Sequence, residues 1–173
     1  MRIGIISDTH KNTALHTSAL DELMDYGVSK VYHLGDNYSD GELEIEMGVD
    51  TIRVPGLYCP EYSDKSIEKI AYDIVQGVGI VMAHDQNEIK DKDISCNNII
   101  LFGHTHKAEL TILNGRLYMN PGHLKSEKDK GRPPSYGIIS IDYGAIDAML
   151  RETGGKVTSK LTLKKDDTGL YKV

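Results

Sequence analysis

Short apolar segments that alternate with a helical pattern dominate the first third of this chain. Residues 2–7, 30–34 and 51–54 are typical of buried strands. Apolar residues spaced three to four apart between Asn12 and Gly27 predict an amphipathic helix, and residues 40–47 predict a shorter one. Strands that alternate with helices pair in parallel through right-handed crossovers, so this part of the chain predicts an α/β fold with a parallel sheet.

The rest of the chain has a different pattern, dominated by hairpin signals. Apolar segments flank Gly77–Gly79 and Asn114–Gly115, and both sites predict tight turns between paired strands. Further strands are predicted at residues 97–103, 135–142 and 160–164. The polar segment Lys125–Pro134 predicts a mobile surface loop. We therefore expect two β-regions packed face to face in one domain that spans residues 1–173.

The charge balance argues against two classes of partner. Twenty Lys and Arg against 26 Asp and Glu give a net charge of −6, which disfavours binding to nucleic acids or anionic membranes. No apolar run is long enough to span a bilayer, and the start of the chain does not resemble a signal peptide. The isolated residues Cys59 and Cys96 are typical of free thiols in a cytoplasmic protein. Because homodimers are the commonest oligomers, a homodimer is the default expectation.

Polar motifs follow four of the predicted strands directly. They are Ser7-Asp8-Thr9-His10, Gly35-Asp36-Asn37, His84-Asp85 and Gly103-His104-Thr105-His106. Since ligands of α/β sheets bind at the carboxyl ends of the strands, we expect these loops to meet at one edge. Each motif alone is more simply explained by a turn or a cap, but together they bring six metal-competent side chains to that edge: Asp8, His10, Asp36, His84, His104 and His106.

The remaining three histidines have ordinary explanations. His16 is predicted on the surface of the first helix, His33 lies within a strand, and His123 follows the turn Asn120-Pro121-Gly122. The six side chains of the strand ends offer imidazole and carboxylate groups without thiolate. Such ligands suit Mn, Fe, Zn, Co or Ni better than Ca or a closed structural zinc site. Two cations about 3.5 Å apart would activate water for attack on a phosphate ester.

The order of these motifs, together with Asn120-Pro121-Gly122, resembles the calcineurin-like metallophosphoesterases. The resemblance covers about residues 1–142. Within this family, the chain is similar to the small single-domain phosphodiesterases and to the retromer subunit of the same fold. It implies a four-layer α/β/β/α sandwich and two divalent cations, with Mn as the leading candidate and Fe, Zn, Ni, Co or Mg as alternatives. It also implies that Asp8, His10 and His106 hold the first cation, that Asp36 bridges, and that His84 and His104 hold the second.

One loop departs from the family pattern. The family has Asn where this chain has Leu57, and an acidic or imidazole group where it has Cys59. Leucine cannot coordinate a metal, so the second site is expected to be weak, unless Tyr58 or a Cys59 thiolate fills the gap. His84 is followed by Asp85 rather than Gly, which makes Asp85 either a further carboxylate or a loop cap.

Two functions remain open on the sequence. The first is a hydrolase that cleaves a small phosphate ester, most simply a phosphodiester, by in-line attack of a metal-bound hydroxide. The second is a weak or inactive binding module on the same fold. Six intact ligands favour the hydrolase, whereas Leu57 and Cys59 favour the binding module. Loops 55–64 and 123–134 are predicted to line the pocket mouth, with Tyr58, Cys59 and His123 as candidate substrate contacts.

Overall fold

The computed structural model describes residues 1–173 as twelve strands and three short helices. The helices are α1 (Thr13–Asp25), α2 (Glu42–Glu46) and α3 (Asp91–Cys96). The strands are β1 (Arg2–Ile6), β2 (Lys30–His33), β3 (Asp50–Arg53), β4 (Ile70–Val75), β5 (Val78–Ala83), β6 (Ile99–Leu101), β7 (Glu109–Leu113), β8 (Arg116–Asn120), β9 (Ser135–Asp142), β10 (Ala145–Glu152), β11 (Val157–Asp166) and β12 (Gly169–Lys172).

The strands form two mixed sheets. The larger sheet has seven strands in the order β12-β11-β10-β9-β1-β2-β3, and the smaller has five in the order β4-β5-β6-β8-β7. Strands β1, β2 and β3 pair in parallel, as do β5, β6 and β8. Each parallel set therefore directs its carboxyl ends to one edge of its sheet, and the loops that carry the polar motifs leave from those ends.

Three apolar clusters define the layers. Twenty buried residues fill the space between the two sheets, among them Ile5, Ile80 and Ile139. A second cluster packs α1 against the outer face of the large sheet through residues such as Leu20 and Leu23. A third packs the α3 segment against the small sheet. The order helix, sheet, sheet, helix confirms the predicted four-layer α/β/β/α architecture.

The predicted strands and both hairpins of the first 142 residues are present, with bounds that differ by a few residues. Three elements at other positions were not predicted: α3, β10 and β12. The β9–β10 turn has Tyr143 at φ 42° and Gly144 at φ 88°. A bulky residue rarely adopts positive φ, so a turn with Tyr at this position lacks the usual residue signature of a hairpin turn. None of the helices is long and apolar enough to cross a membrane.

The segment predicted as a mobile loop, Lys125–Pro134, contains a tight turn. The backbones of Asp129 and Arg132 exchange hydrogen bonds of 3.0 and 2.8 Å. Between them, Lys130 and Gly131 have φ values of 49° and 81°, the sign pattern of a type I′ hairpin turn. This small hairpin gives Asp129 a defined position beside the strand-end loops.

Candidate metal centre

Five of the six predicted ligands have a left-handed backbone. The φ angles are 53° at Asp8, 47° at His10, 88° at Asp36, 64° at His104 and 58° at His106. This conformation costs free energy in residues that carry a side chain, and such strain concentrates at functional sites where the surrounding structure enforces it. The conformations of the strand-end loops are therefore explained by where they place these side chains and not by the preferences of the backbone.

Asp8 lies at the centre of this cluster. Its Oδ2 accepts hydrogen bonds from the Ser7 hydroxyl at 2.7 Å and from the His104 backbone amide at 2.9 Å. Its Oδ1 is buried and has no hydrogen-bond partner. That atom lies 3.2 Å from Nε2 of His106 and 4.0 Å from Nε2 of His84. Buried carboxylate oxygens are almost always paired, so Oδ1 and the two nitrogens together leave a place for a cation.

The two histidines that face Asp8 have their far nitrogens occupied. Nδ1 of His84 lies 2.7 Å from the carbonyl oxygen of Leu34, and Nδ1 of His106 lies 2.8 Å from a carboxylate oxygen of Asp129. A carbonyl and a carboxylate only accept, so Nδ1 of each ring carries a proton. In the neutral ring this leaves the lone pair on Nε2, the arrangement that metal-ligating histidines adopt.

His10 and Asp36 complete two groups of potential ligands. Asp8, His10 and His106 form the first group, and Asp8, Asp36 and His84 form the second, with the ligand atoms of each group within 4.8 Å of one another. The groups share Asp8, and Oδ2 of Asp36 lies 3.1 Å from Nδ1 of His10 in the first group. Two nitrogen-and-oxygen donor sets that share a carboxylate fit two divalent cations.

The pKa values follow from this crowding. Burial alone would raise the pKa of Asp8, but the imidazoles of His106 and His84 beside its carboxylate hold the pKa below its usual range. The closeness of Asp8 and the hydrogen bond with Asp129 raise the pKa of His106. The carboxylates of Asp8 and Asp129 favour positive charge at the His106 ring between them. A cation bound at the cluster would supply positive charge to the same groups.

His104 contributes in a different way from the other five. Its backbone amide binds Asp8, and its ring centroid lies 5.3 Å from that of His84, outside both groups. The loop that carries His104 and His106 is held by Asn120, whose side-chain amide donates to the carbonyl of Gly103 at 2.8 Å. Gly103 itself has no room for a side chain, because a Cβ there would collide with the Ser7 hydroxyl.

The loop with the unusual residues runs directly against Asp36. A Cβ on Gly56, the residue before Leu57, would overlap the backbone of Asp36, so the two backbones are packed against each other. Tyr58 is 89% exposed. Cys59 is buried, and its thiol donates to the carbonyl of Gly56 at 3.1 Å, outside both ligand groups. Cys59 therefore supplies no ligand to either group, and the Tyr58 side chain is exposed to solvent.

Two further residues lie behind His106. His123, a predicted substrate contact, is completely buried, and its ring nitrogens contact the backbone of Arg132 and Lys125 at 3.3 Å. These contacts hold the loop and leave no face of the ring open. Asp129 was not singled out from the sequence, where it is one charge in a run of charges. Its only signal is the Gly131 two positions later, which marks a tight turn.

A cavity of about 510 Å³ begins at His106. It is lined on its polar side by Lys107, Arg132, Ser135 and Glu152. The position of Arg132 and Pro133 in this lining agrees with the expectation that the loop at residues 123–134 borders the pocket. The cavity is large enough for a small organic ligand.

Residues 1–144 match the calcineurin-like phosphoesterase superfamily domain, which is most of the chain. The chain belongs to this superfamily. Among superfamily relatives, a probable metallophosphoesterase of Methanothermobacter thermautotrophicus is 25% identical over 177 residues, covering 95% of this chain and 100% of that protein.

Solved structures of similar fold come from two kinds of protein. An archaeal phosphodiesterase matches with a TM-score of 0.70 and 20% identity, covering 87% of this chain and 99% of that one. Vps29 of Entamoeba histolytica, solved in complex with Zn²⁺, matches with a TM-score of 0.68 and 16% identity over 94% and 99% of the two chains. At these identities the likeness shows the calcineurin-like fold and leaves the activity to the site.

Proposed function

We propose that this protein is a metal-dependent phosphodiesterase with a dinuclear centre. The observation that carries the proposal is the buried, unpartnered Oδ1 of Asp8, which faces Nε2 of both His84 and His106. Such an atom is costly unless positive charge reaches it, and in their neutral form both imidazoles have their protons on the opposite nitrogen. The superfamily match and the archaeal phosphodiesterase of similar fold support the same reaction class.

In this proposal each residue has a defined task. Asp8, His10 and His106 would hold the first cation, and His84 would hold the second with His104 beside it. Asp36 belongs to the second group and lies 3.1 Å from His10 of the first, so its carboxylate would be shared between the two sites. When bound, the cations polarise the phosphoryl oxygens and acidify water at neutral pH. The protein contributes the orientation: Leu34 and Asp129 fix the tautomers of His84 and His106, and the His104 amide and Ser7 fix Asp8. Manganese is the leading candidate for both sites.

The substrate is a small phosphate ester. The cavity beside His106 accepts the organic part of an ester whose phosphate lies at the cluster. Lys107 and Arg132 on its wall attract an anionic ligand, while Glu152 keeps the wall from being uniformly basic. This mixed lining suits a compact ester better than a polyanionic strand.

A direct test compares two chromogenic esters. The protein is stripped with a chelator, reloaded with Mn²⁺, and assayed with bis(p-nitrophenyl) phosphate and p-nitrophenyl phosphate. We expect turnover that depends on Mn²⁺ and favours the diester. Asp36→Asn removes the charged bridge and most of the turnover. Asp85→Asn is the matched control, because Asp85 follows His84 directly but accepts a hydrogen bond from Asn87 in its own turn.

The alternative function is a binding module, favoured by Leu57 in the loop against Asp36 and by the likeness to Vps29, which was solved with Zn²⁺. The two functions separate in the same assay. A protein that binds metal through Asp36 but hydrolyses neither ester is a binding module. If Asp36→Asn keeps the turnover of the wild type, the dinuclear mechanism is wrong.

A further inference from the structure

A second cluster of titratable side chains lies behind the candidate metal centre. His16 on α1, His33 at the end of β2 and Glu44 on α2 are 2%, 0% and 0% exposed. This burial corrects the prediction that His16 lies on the helix surface. Their ligand-capable atoms lie within 4.8 Å of one another. A carboxylate with no exposure is costly, so the contacts that satisfy Glu44 carry information about its role.

Only part of this cluster is paired. Nε2 of His16 lies 3.0 Å from Oε1 of Glu44. The other carboxylate oxygen, Oε2, and Nε2 of His33 are both buried and have no partner. Unpaired buried polar atoms are rare in folded proteins. Oε2 of Glu44 accepts hydrogen bonds, whereas Nε2 of His33 donates or accepts depending on which ring nitrogen carries the proton.

The neighbouring backbone decides where that proton is. The amide of Gly35 donates to Nδ1 of His33 at 3.3 Å, so Nδ1 presents its lone pair. Burial lowers the pKa of His33 and keeps the ring neutral. A neutral ring with a lone pair on Nδ1 carries its proton on Nε2. The ring lies beside the carboxylate of Glu44, with their ligand-capable atoms within 4.8 Å of each other, so the charge of Glu44 favours the proton on Nε2. Nε2 then has no lone pair to offer a cation.

We propose that Glu44, supported by His16, is a positioning residue for the metal centre: it holds His33 in the Nε2–H tautomer, so that Nδ1 anchors the Gly35–Asp36 turn. Both turn residues have φ 88°, a conformation that the chain must enforce at Asp36. The turn sets the carboxylate of Asp36, which lies 3.1 Å from Nδ1 of His10. The inference rests on the proposed function, in which Asp36 bridges two cations.

We call the proposed link from Glu44 through His33 to the Gly35 amide the relay. Glu44→Gln tests the relay with little change in side-chain volume. The Gln amide can satisfy His16 with its oxygen and then presents its NH₂ group to Nε2 of His33, which favours the Nδ1–H tautomer. That tautomer places two donors, Nδ1–H and the Gly35 amide, against each other. Glu22→Gln is the matched control, because the Glu22 carboxylate on α1 accepts a hydrogen bond from the Tyr136 hydroxyl at 2.7 Å, away from the site.

Three quantities are measured on each protein. Imidazole ¹⁵N NMR with and without Zn²⁺ gives the tautomer of His33, hydrogen exchange gives the protection of the Gly35 amide, and calorimetry gives the Mn²⁺ affinity. For Glu44→Gln we expect the proton to move to Nδ1, amide exchange at Gly35 to rise by up to about tenfold and Mn²⁺ affinity to fall about tenfold. Glu22→Gln leaves all three at the wild-type values.

His33→Asn provides an independent variant that keeps Glu44 and His16 intact. The Asn oxygen can accept from the Gly35 amide in place of Nδ1, without a link to Glu44. We expect near wild-type protection of Gly35, and we expect Glu44→Gln to have no further effect on Mn²⁺ affinity in this background, because the coupling runs through His33.

Several results would overturn the relay. The first is an Nδ1–H tautomer of His33 in the wild type. The second is a tautomer change in Glu44→Gln without loss of Gly35 protection or of Mn²⁺ affinity. The third is a third bound metal that disappears in Glu44→Gln, which would make the cluster of His16, His33 and Glu44 a metal site. The tautomer and the Gly35 amide are measured without substrate. A protein that passes these tests but hydrolyses no ester therefore refutes the proposed activity and leaves the relay standing.

Discussion

Nδ1 of His106 lies 2.8 Å from Oδ2 of Asp129, a contact between a strand-end loop and a small hairpin 23 residues away. The hydrogen bond with His106 lowers the pKa of Asp129 to about 2, so the carboxylate is ionised at neutral pH. An ionised partner on Nδ1 fixes the ring orientation and makes Nε2 a better ligand.

Asp129→Asn should therefore weaken the site formed by Asp8, His10 and His106. Loss of the charged partner of a ligating histidine lowers metal affinity about 10–100-fold, and we expect a loss in that range for Mn²⁺, measured by calorimetry. Glu127→Gln is the control on the same loop, where the side chain is exposed. Equal Mn²⁺ affinities for the two variants would show that Asp129 does not act through His106.

Gly56 tests the geometry of the second loop. A Cβ at this position overlaps the backbone of Asp36, and backbone atoms cannot move aside as a flexible side chain can. Gly56→Ala should therefore displace Asp36 and lower Mn²⁺ affinity and turnover together, while the fold measured by circular dichroism is retained. Gly79→Ala is the control, because its Cβ meets the side chain of Asn97 at 3.0 Å, far from the cluster. Unchanged Mn²⁺ binding in Gly56→Ala contradicts the described path of the loop.

The parts of this molecule that could be predicted from sequence are those with local signals. The strands that precede Asp8 and Asp36 are apolar runs followed by polar residues. Their assignment as buried parallel strands, and the meeting of the loops that follow them, can therefore be predicted from sheet geometry. Asp129 and Glu44 could not be found in this way. Their hydrogen-bond partners, His106 and His16, are distant in sequence, and nothing near either carboxylate distinguishes it from a solvated charge.

His16 shows the same limit on an element that was predicted correctly. The helix spacing of Leu15, Ala19 and Leu23 identifies the buried face of α1, and His16 is adjacent to that face. Its burial comes from α2, which packs Glu44 against it. A short helix of five residues has too weak a pattern to show which of its charges faces inward.

Asp73 links the two sheets and gives a prediction on stability against pH. Its Oδ2 accepts hydrogen bonds from Lys30 at 2.7 Å and from Tyr32 at 2.8 Å. Burial opposes the charged form, but these bonds outweigh burial and lower the pKa of Asp73. The stabilisation is therefore present above the unfolded pKa of about 3.9 and is lost as the pH falls through the lower folded pKa.

Asp73→Asn should lower the free energy of unfolding by about 1–3 kcal/mol at pH 7, and by much less near pH 3, in urea denaturation. Asp50→Asn is the control, because Asp50 lies 3.3 Å from the same Lys30 but its side chain is 64% exposed. An exposed pair contributes little, so we expect a change of less than about 1 kcal/mol. A loss for Asp73→Asn that is constant from pH 3 to pH 7 excludes the linkage.

Leu57 is the residue that most directly separates an enzyme from a binding module on this fold. It follows Gly56, whose backbone contacts Asp36, and it has no atom that can coordinate a cation. Cys59 does not compensate, because its thiol is bonded to the Gly56 carbonyl. The group of Asp8, Asp36 and His84 therefore lacks the ligand that Asn at position 57 would supply, and its cation should bind more weakly than the first.

Metal titration of the stripped protein should consequently show two unequal binding steps, with turnover still rising beyond one equivalent of Mn²⁺. Leu57→Asn adds an amide oxygen beside Asp36 and should tighten the weaker step about tenfold, the scale of effect that even residues outside the coordination shell produce. Cys59→Ser is the control and should leave both steps unchanged. Two equal, tight steps in the wild type would show that the site is complete without residue 57. A weaker second step in Cys59→Ser would show instead that the thiol moves to the metal when it binds.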